Sequence, residues 1–237
     1  MFKNKSYKGK PIVDVIIPVL NEQDSIGHVI SDIPKDVVRN IIVCDNGSKD
    51  KTADVASKNG SIVVSQPLRG YGNACLAGLA YILSLDIKPD IVVFLDGDYS
   101  DYPEELPLLI SPIVENQVDL VIGSRANPNV AKGSMTIQQR FGNWLATILI
   151  KFIYGYHFTD LGPFRAIAYH QLQKIDMQDK TYGWTVEMQI KAAKLKLKTY
   201  EIPVKYRKRI GVSKVSGTLK GTVLAGYKIL HTIFRYI

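Results

Sequence analysis

Ile91-Val92-Val93-Phe94-Leu95 runs without a polar break into Asp96-Gly97-Asp98. Five consecutive apolar residues, three of them β-branched, describe a strand buried on both faces, as in a parallel sheet covered by helices. Residues 13–17, 41–45, 61–65 and 120–123 are four further runs of strand length. Helical spacing fills the intervals at 25–33, 51–59, 73–85 and 104–116. This alternation predicts an α/β fold, a Rossmann-like, mostly parallel sheet with helices on both faces. Such sheets bind ligands beyond the carboxyl ends of their strands. The polar chemistry gathers at those ends: Pro18-Val19-Leu20-Asn21-Glu22 after the first strand, Asp45-Asn46-Gly47-Ser48 after the second, Asp96-Gly97-Asp98 after the fourth.

Two acids flanking a glycine at a strand end suit a hard divalent cation with oxygen ligands, Mg²⁺ or Mn²⁺, although Asp-Gly-Asp is also ordinary turn chemistry. Such a cation would bridge a diphosphate and offset the charge that grows on it as a leaving group. The four histidines, at 28, 157, 170 and 231, are scattered, and Cys44 and Cys75 stand alone. A zinc site and a disulfide scaffold are therefore not expected. The 237 residues are 46% hydrophobic and 22% charged, which is globular usage. Charge is uneven: residues 180–237 carry 13 Lys+Arg against Glu187 and Glu201, and the rest of the chain is slightly acidic. A basic C-terminal quarter suggests an anionic partner, whether phosphate, nucleic acid or acidic lipid.

The ordered motifs Pro18–Glu22, Asp45-Asn46-Gly47-Ser48-Lys49-Asp50-Lys51-Thr52, Arg69-Gly70-Tyr71-Gly72-Asn73-Ala74 and Asp96-Gly97-Asp98 resemble those of family 2 nucleotide-sugar glycosyltransferases of GT-A fold. Gly123-Ser124-Arg125, residues 159–166 and the basic stretch 206–214 resemble the polyprenyl-phosphate branch, the dolichyl-phosphate mannose and glucose synthases. The resemblance implies that Pro18, Leu20 and Glu22 border the base and ribose and that Asp45 hydrogen-bonds the base edge. It implies that Asn46 and Gly47 belong to the same nucleotide site and that Arg69 lies in the loop closing over it. Asp96 and Asp98 would hold Mg²⁺ or Mn²⁺ on the donor diphosphate, and Gly97 between them would belong to the nucleotide-sugar site. Arg209, Ser213 and Lys214 would close over its phosphates, and Arg125 and Arg140 would grip an acceptor phosphate. Asp45 capping its own turn and Arg140 snorkelling from a helix are the plainer readings of those two residues. Members of the mannose type often carry Gln two residues after the second Asp. Here Ser100 stands there, followed by Asp101, so Ser100, Asp101 or water could complete a metal sphere.

The function expected is metal-dependent, inverting transfer of mannose or glucose from a GDP- or UDP-sugar to a polyprenyl phosphate. A phosphate nucleophile is already ionised at neutral pH. A soluble hydroxyl acceptor would need a carboxylate base, for which Asp160 and Glu187 are candidates. Processive synthases resemble Q-x-x-R-W at a position where this chain reads Gln139-Arg140-Phe141-Gly142-Asn143-Trp144, which does not match. RNA binding would call for stacking aromatics among the bases, and Tyr200, Tyr206 and Tyr227 are too dispersed. No nucleic-acid partner is expected.

No apolar stretch follows Lys3, Lys5, Lys8 and Lys10, and no window has the 18 or more apolar residues of a spanning helix. The expected location is cytoplasmic, peripheral on a membrane face. Two amphipathic stretches could serve for docking. Arg140, Asn143, Thr147 and Lys151 lie beside an apolar arc containing Phe141, Trp144, Ile148 and Phe152. Lys228, His231 and Arg235 lie beside Val223, Tyr227, Ile233 and Phe234. Packing on the catalytic body or a dimer contact would produce the same pattern. The expected organisation is an N-terminal extension (1–11), a catalytic domain (12–217) and a C-terminal amphipathic helix (218–237).

Overall fold

The computed structural model describes residues 9–115, 117–212 and 219–237. In chain order the elements are β1 (Val13–Val19), α1 (Ile26–Asp32), β2 (Asn40–Asp45), α2 (Thr52–Lys58), β3 (Ile62–Ser65), α3 (Tyr71–Ser84), β4 (Ile91–Phe94), α4 (Leu106–Val114), β5 (Leu120–Ser124), α5 (Ile137–Tyr154), β6 (Arg165–Ala168), α6 (Tyr169–Ile175), α7 (Trp184–Lys194), β7 (Thr199–Pro203) and α8 (Leu219–Arg235). The strands form one sheet in the order β3-β2-β1-β4-β6-β5-β7. β6 pairs antiparallel with both β4 and β5, whereas every other pairing is parallel. Six strands therefore deliver their carboxyl ends to one edge.

The five strands expected from sequence are present, and β6 and β7 are additions to them. β6 is short and opens with Arg165, a charged residue that breaks the apolar signature of a strand. Its guanidinium is fully buried and donates to the carbonyls of Leu161, Gly162 and Thr185. Burial lowers its pKa to about 10. β7 lies at the sheet edge with its residues half-buried or exposed.

Side chains alternate between two cores, as the strand period of two requires. Ile16, Ile42, Cys44, Val92 and Phe94 pack on one face, towards α3, α5 and α7. Val15, Ile17, Val43, Val93 and Leu95 pack on the other, towards α1 and α4. Cys44 and Cys75 are buried free thiols.

α5 starts on a capping box between Thr136 and Gln139 and stops at Gly155 in the left-handed region. Its expected polar stripe divides, with Arg140 and Lys151 exposed and Asn143 and Thr147 turned to the body. Asn143 bonds the backbone at Thr159 and Leu161, and Thr147 is buried. Ile137, Phe141, Trp144 and Phe152 instead face outward, the last 81% exposed. α8 packs against α5 and α7 through Thr232 and Ile233, and its outer face carries Val223, Tyr227 and Phe234. It is part of the body's packing, and the expected boundary at 217/218 lies outside the described residues.

α3 approaches the sheet closely because Gly78 has no side chain. A Cβ there would lie 2.8 Å from the Cys44 sulfur and 2.9 Å from an Ile16 methyl. Gly78→Ala is therefore expected to cost about 1–3 kcal/mol through overpacking, read as a lowered denaturation midpoint. An unchanged midpoint would contradict this packing.

Candidate active site

At the carboxyl edge, Pro18, Leu20, Glu22, Asn46, Arg69, Asp96, Gly97, Asp98 and Arg209 line one cavity of about 430 Å³. Residues 187 positions apart thus meet at one point. Arg209 donates one nitrogen to Glu22 Oε1 (2.9 Å) and another to Asp98 Oδ2 (3.0 Å). Its Nε has no acceptor among the described residues. Arg207 brings this segment over the site. It sits 3.4 Å from the Tyr99 ring centre and 4.1 Å from that of Tyr102, and bonds the carbonyls of Tyr99 and Asp101. Tyr99 occupies the left-handed region at φ 63°, at a cost of about 1–3 kcal/mol. The Arg207 stack and a 2.6 Å bond from the Tyr99 hydroxyl to Asp32 offset a cost of that size.

The two acids differ in surroundings. Asp98 Oδ1 accepts from the Ser100 amide (2.9 Å) and hydroxyl, so Ser100 orients Asp98. Asp96 accepts from the Tyr71 hydroxyl at 3.0 Å. Burial, then the neighbouring charge of Asp98, pushes the Asp96 carboxyl up to about 7. Asp101 is buried, neither of its oxygens has a partner among the described residues, and burial raises its pKa well above the carboxylate range.

Several expected residues take other places. Asp45 does not line the cavity: its carboxylate accepts from the Ser48 amide at 3.1 Å and caps its own turn. Gly47 also lies outside the lining, in the same turn. Asn46 is a staple, donating to the carbonyls of Gln66 and Leu68 and accepting from the Gly70 amide at 2.7 Å. It thereby fixes the loop bearing Arg69. Glu187 is fully buried away from the cavities, where it accepts from the amides of Gln178 and Asp179 and the Tyr236 hydroxyl and pairs with Lys191. Asp160 is held by Arg125 through two side-chain bonds of 2.8 and 2.7 Å and by the Arg125 amide. Neither carboxylate stands free as a base. Ser213 and Lys214 lie outside the described residues.

Tyr71 and Tyr182, which line the cavity, were not singled out from sequence. Tyr71 lies inside the recognised Arg69–Ala74 motif and was within reach of that reading. Tyr182 carries no local signal.

A second cavity of about 320 Å³ shares Tyr71, Asp96, Asp98, Tyr182 and Arg209 with the first and adds Arg125 and Tyr206. A third, of about 620 Å³, shares Arg125 and Asn143 with the second and runs along α5 past Arg140, Trp144, Ile148 and Lys151. Adjoining through these shared residues, the three are taken together as one trench. It carries the acids and Arg209 at the sheet edge, Arg125 beside them in the middle, and mixed apolar and basic residues along α5.

The Asp96 environment sets a pH dependence. A carboxyl raised from 3.8 to about 7 contributes stability in its protonated form, fully present below the unfolded value and lost as pH rises through about 7. Asp96→Asn has no such proton to lose. In metal-free protein the variant's melting temperature should gain on wild type from pH 4 to 7 and hold that gain above. A difference constant across this range would contradict the assignment.

The family model described as "Glycosyl transferase family 2" matches residues 14–201. A dolichyl-phosphate hexose transferase of Haloferax volcanii is 31% identical over 216 residues, spanning 89% of each chain. An undecaprenyl-phosphate mannosyltransferase of Micrococcus luteus is 29% identical, over 87% of this chain and 88% of its own. Among solved structures, glucosyl-3-phosphoglycerate synthase from Mycobacterium tuberculosis, in complex with Mn²⁺, UDP and phosphoglyceric acid, superposes with a TM-score of 0.76. It does so at 23% identity, over 95% of this chain and 78% of its own. The sheet is thus of the GT-A kind, and the chain belongs to glycosyl transferase family 2 and is a glycosyltransferase.

Proposed function

We propose that the protein transfers a hexosyl group from a nucleoside diphosphate sugar to the phosphate of a polyprenyl phosphate at a membrane surface. The observation that carries this reading is the trench. From the Asp96–Asp98 pair it passes Arg125 and opens along a helix that turns Phe141, Trp144 and Phe152 outward. A phosphate with an apolar tail matches that sequence of surfaces. The relatives named for undecaprenyl and dolichyl phosphate support the same acceptor.

The donor set fits Mg²⁺ or Mn²⁺. No group of three or more His, Cys, Asp or Glu gathers for an ion among the described residues. Two carboxylates, Asp96 and Asp98, are what such an ion takes when substrate phosphates supply further oxygens. The glucosyl-3-phosphoglycerate synthase was crystallised with Mn²⁺ and UDP. Bound there, the ion would neutralise charge developing on the departing diphosphate.

The chain's own residues do the rest. Pro18, Leu20, Glu22 and Tyr182 wall the nucleoside, and Arg69 borders it from the loop that Asn46 fixes. Arg209, displaced from Asp98, has donors for the diphosphate oxygens. Arg125 stays aligned by Asp160, and with Arg140 it draws the acceptor phosphate to the anomeric carbon. A phosphate oxygen forms the new bond to that carbon as its bond to the diphosphate breaks in line, and the electron pair leaves with the nucleoside diphosphate. No proton moves, so the engagement of Asp160 and Glu187 costs the reaction nothing. Placement and charge stabilisation account for the rate.

No helix among the described residues is long and apolar enough to cross a membrane. Contact with the bilayer falls to the outward residues of α5 and α8, with Lys151 and Arg235 beside them, in the manner of interfacial helices.

The test is a product assay with Mn²⁺, presenting UDP-glucose and GDP-mannose separately, each with and without a short polyprenyl phosphate. Lipid-linked sugar from one donor, abolished by chelation, is expected. Donor turnover indifferent to the lipid but stimulated by a phosphorylated small molecule would overturn the acceptor. Asp98→Asn should lower turnover by about 10²-fold or more, and near-normal turnover would remove the metal role of that residue. Wild type should also pellet with anionic vesicles, and Trp144→Asp should remain in solution; equal pelleting would contradict docking through α5.

A further inference from the structure

α8 and the residues just after it lie against the loop that precedes α7 and against the first turn of α7, and two side-chain ties join them. Lys228 Nζ contacts Asp179 Oδ2 at 2.9 Å, with the Asp179 side chain only 4% exposed. The Tyr236 hydroxyl donates to Glu187 Oε1 at 2.6 Å. Both acids also hold the loop, Glu187 while it pairs with Lys191 as well. Asp179 Oδ1 accepts from the amides of Thr181 (2.7 Å) and Gly183 (3.1 Å), and Glu187 accepts from those of Gln178 and Asp179. The fit allows no slack. A Cβ on Gly183 would stand 2.4 Å from the Thr232 hydroxyl and 2.6 Å from Asp179 Oδ2.

The same loop serves the first turn of α3. Helix starts leave backbone N–H groups without intrahelical acceptors. Here the amides of Gly72 and Asn73 donate to the carbonyls of Thr181 (3.1 Å) and Lys180 (3.0 Å). Backbone meets backbone so closely that a Cβ on Gly72 would lie 2.0 Å from the Asp179 carbonyl oxygen. That first turn carries Tyr71, whose hydroxyl holds Asp96, and the loop itself contributes Tyr182 to the cavity wall.

We propose that Lys228 of α8 and Tyr236, just beyond the end of that helix, are positioning residues for the donor. By fixing the 178–183 loop through Asp179 and Glu187, they hold Tyr71 and Tyr182 against the Asp96–Asp98 pair. This rests on reading the 430 Å³ cavity as the nucleotide site. Neither residue lines that cavity, and the helix that would meet the membrane sets donor affinity through the loop. Linkage makes the effect reciprocal: a bound nucleotide tightens the seat of α8.

The experiment measures binding of UDP and GDP, each with Mn²⁺, by titration calorimetry of the full chain, without acceptor or lipid. Lys228→Met should weaken the nucleotide that wild type binds by about fivefold or more, the lower end of inter-site coupling. Lys228→Arg should recover most of that loss, and Tyr236→Phe should show a smaller weakening. In turnover, Lys228→Met should raise KM for the donor and leave kcat at saturation little changed. Equal affinity in Lys228→Met and wild type would overturn the positioning role while leaving the donor site standing. Affinity losses that merely track falling melting temperature across the three variants would also overturn it. Wild type that binds neither nucleotide would overturn the donor reading, and this inference with it.

Discussion

Asp96 and Asp98 share one turn at the end of a buried strand, and their charges have to be reconciled before anything else at that edge can settle. The protein does this with Arg209, which spans from Asp98 to Glu22 across the mouth of the cavity. Three separated parts of the chain, following β1, β4 and β7, are thereby held at one point. The Tyr99–Arg207–Tyr102 stack serves the same end, since it keeps the Arg209 segment over the acids. Asp96 stays reluctant to ionise, a condition that a divalent cation would reverse. The site is electrostatically loaded before any ligand arrives.

The proposed acceptor side rests on a second pairing. Arg125 and Asp160 bind each other through paired donors and acceptors, which leaves the arginine aligned and the carboxylate unsuited to abstract a proton. A nucleophile that needs no deprotonation is the natural partner for such a site. α5 extends the trench away from it with an outward apolar stripe, and α8 runs alongside. On the proposed function, the surfaces for lipid and for nucleotide are built from adjoining elements, and the 178–183 loop connects them.

Much of this was legible in the sequence because strand ends announce themselves. An unbroken apolar run closing on polar residues fixes both the strand and the edge at which its chemistry sits. Pro18, Glu22, Asp96 and Asp98 could be placed that way, and Arg209 joined them only through the family resemblance. β6 was not legible, because Arg165 makes sense only once three carbonyls surround it. For Asp45 the family resemblance implied a contact to the base edge and the side chain's own preference implied a turn cap, and the carboxylate caps the turn. Glu187 was plausible as a base only while its neighbours in space were unknown, since Tyr236 lies 49 residues further on. In α5 the polar stripe divides: Asn143 and Thr147 turn to the body, Asn143 because it satisfies backbone groups at 159 and 161, while Arg140 and Lys151 stay exposed beside the outward apolar residues, and a helical wheel does not show which residues have partners. Tyr182 is set by tertiary contacts alone.

The most direct measurement is anomalous diffraction from a crystal grown with Mn²⁺ and the nucleoside diphosphate the protein binds. The account predicts one strong manganese peak in contact with carboxylate oxygens of Asp96 and Asp98, with Arg209 moved off Asp98 onto the diphosphate. A manganese peak elsewhere, or a diphosphate bound with the Arg209–Asp98 pair intact, would contradict it.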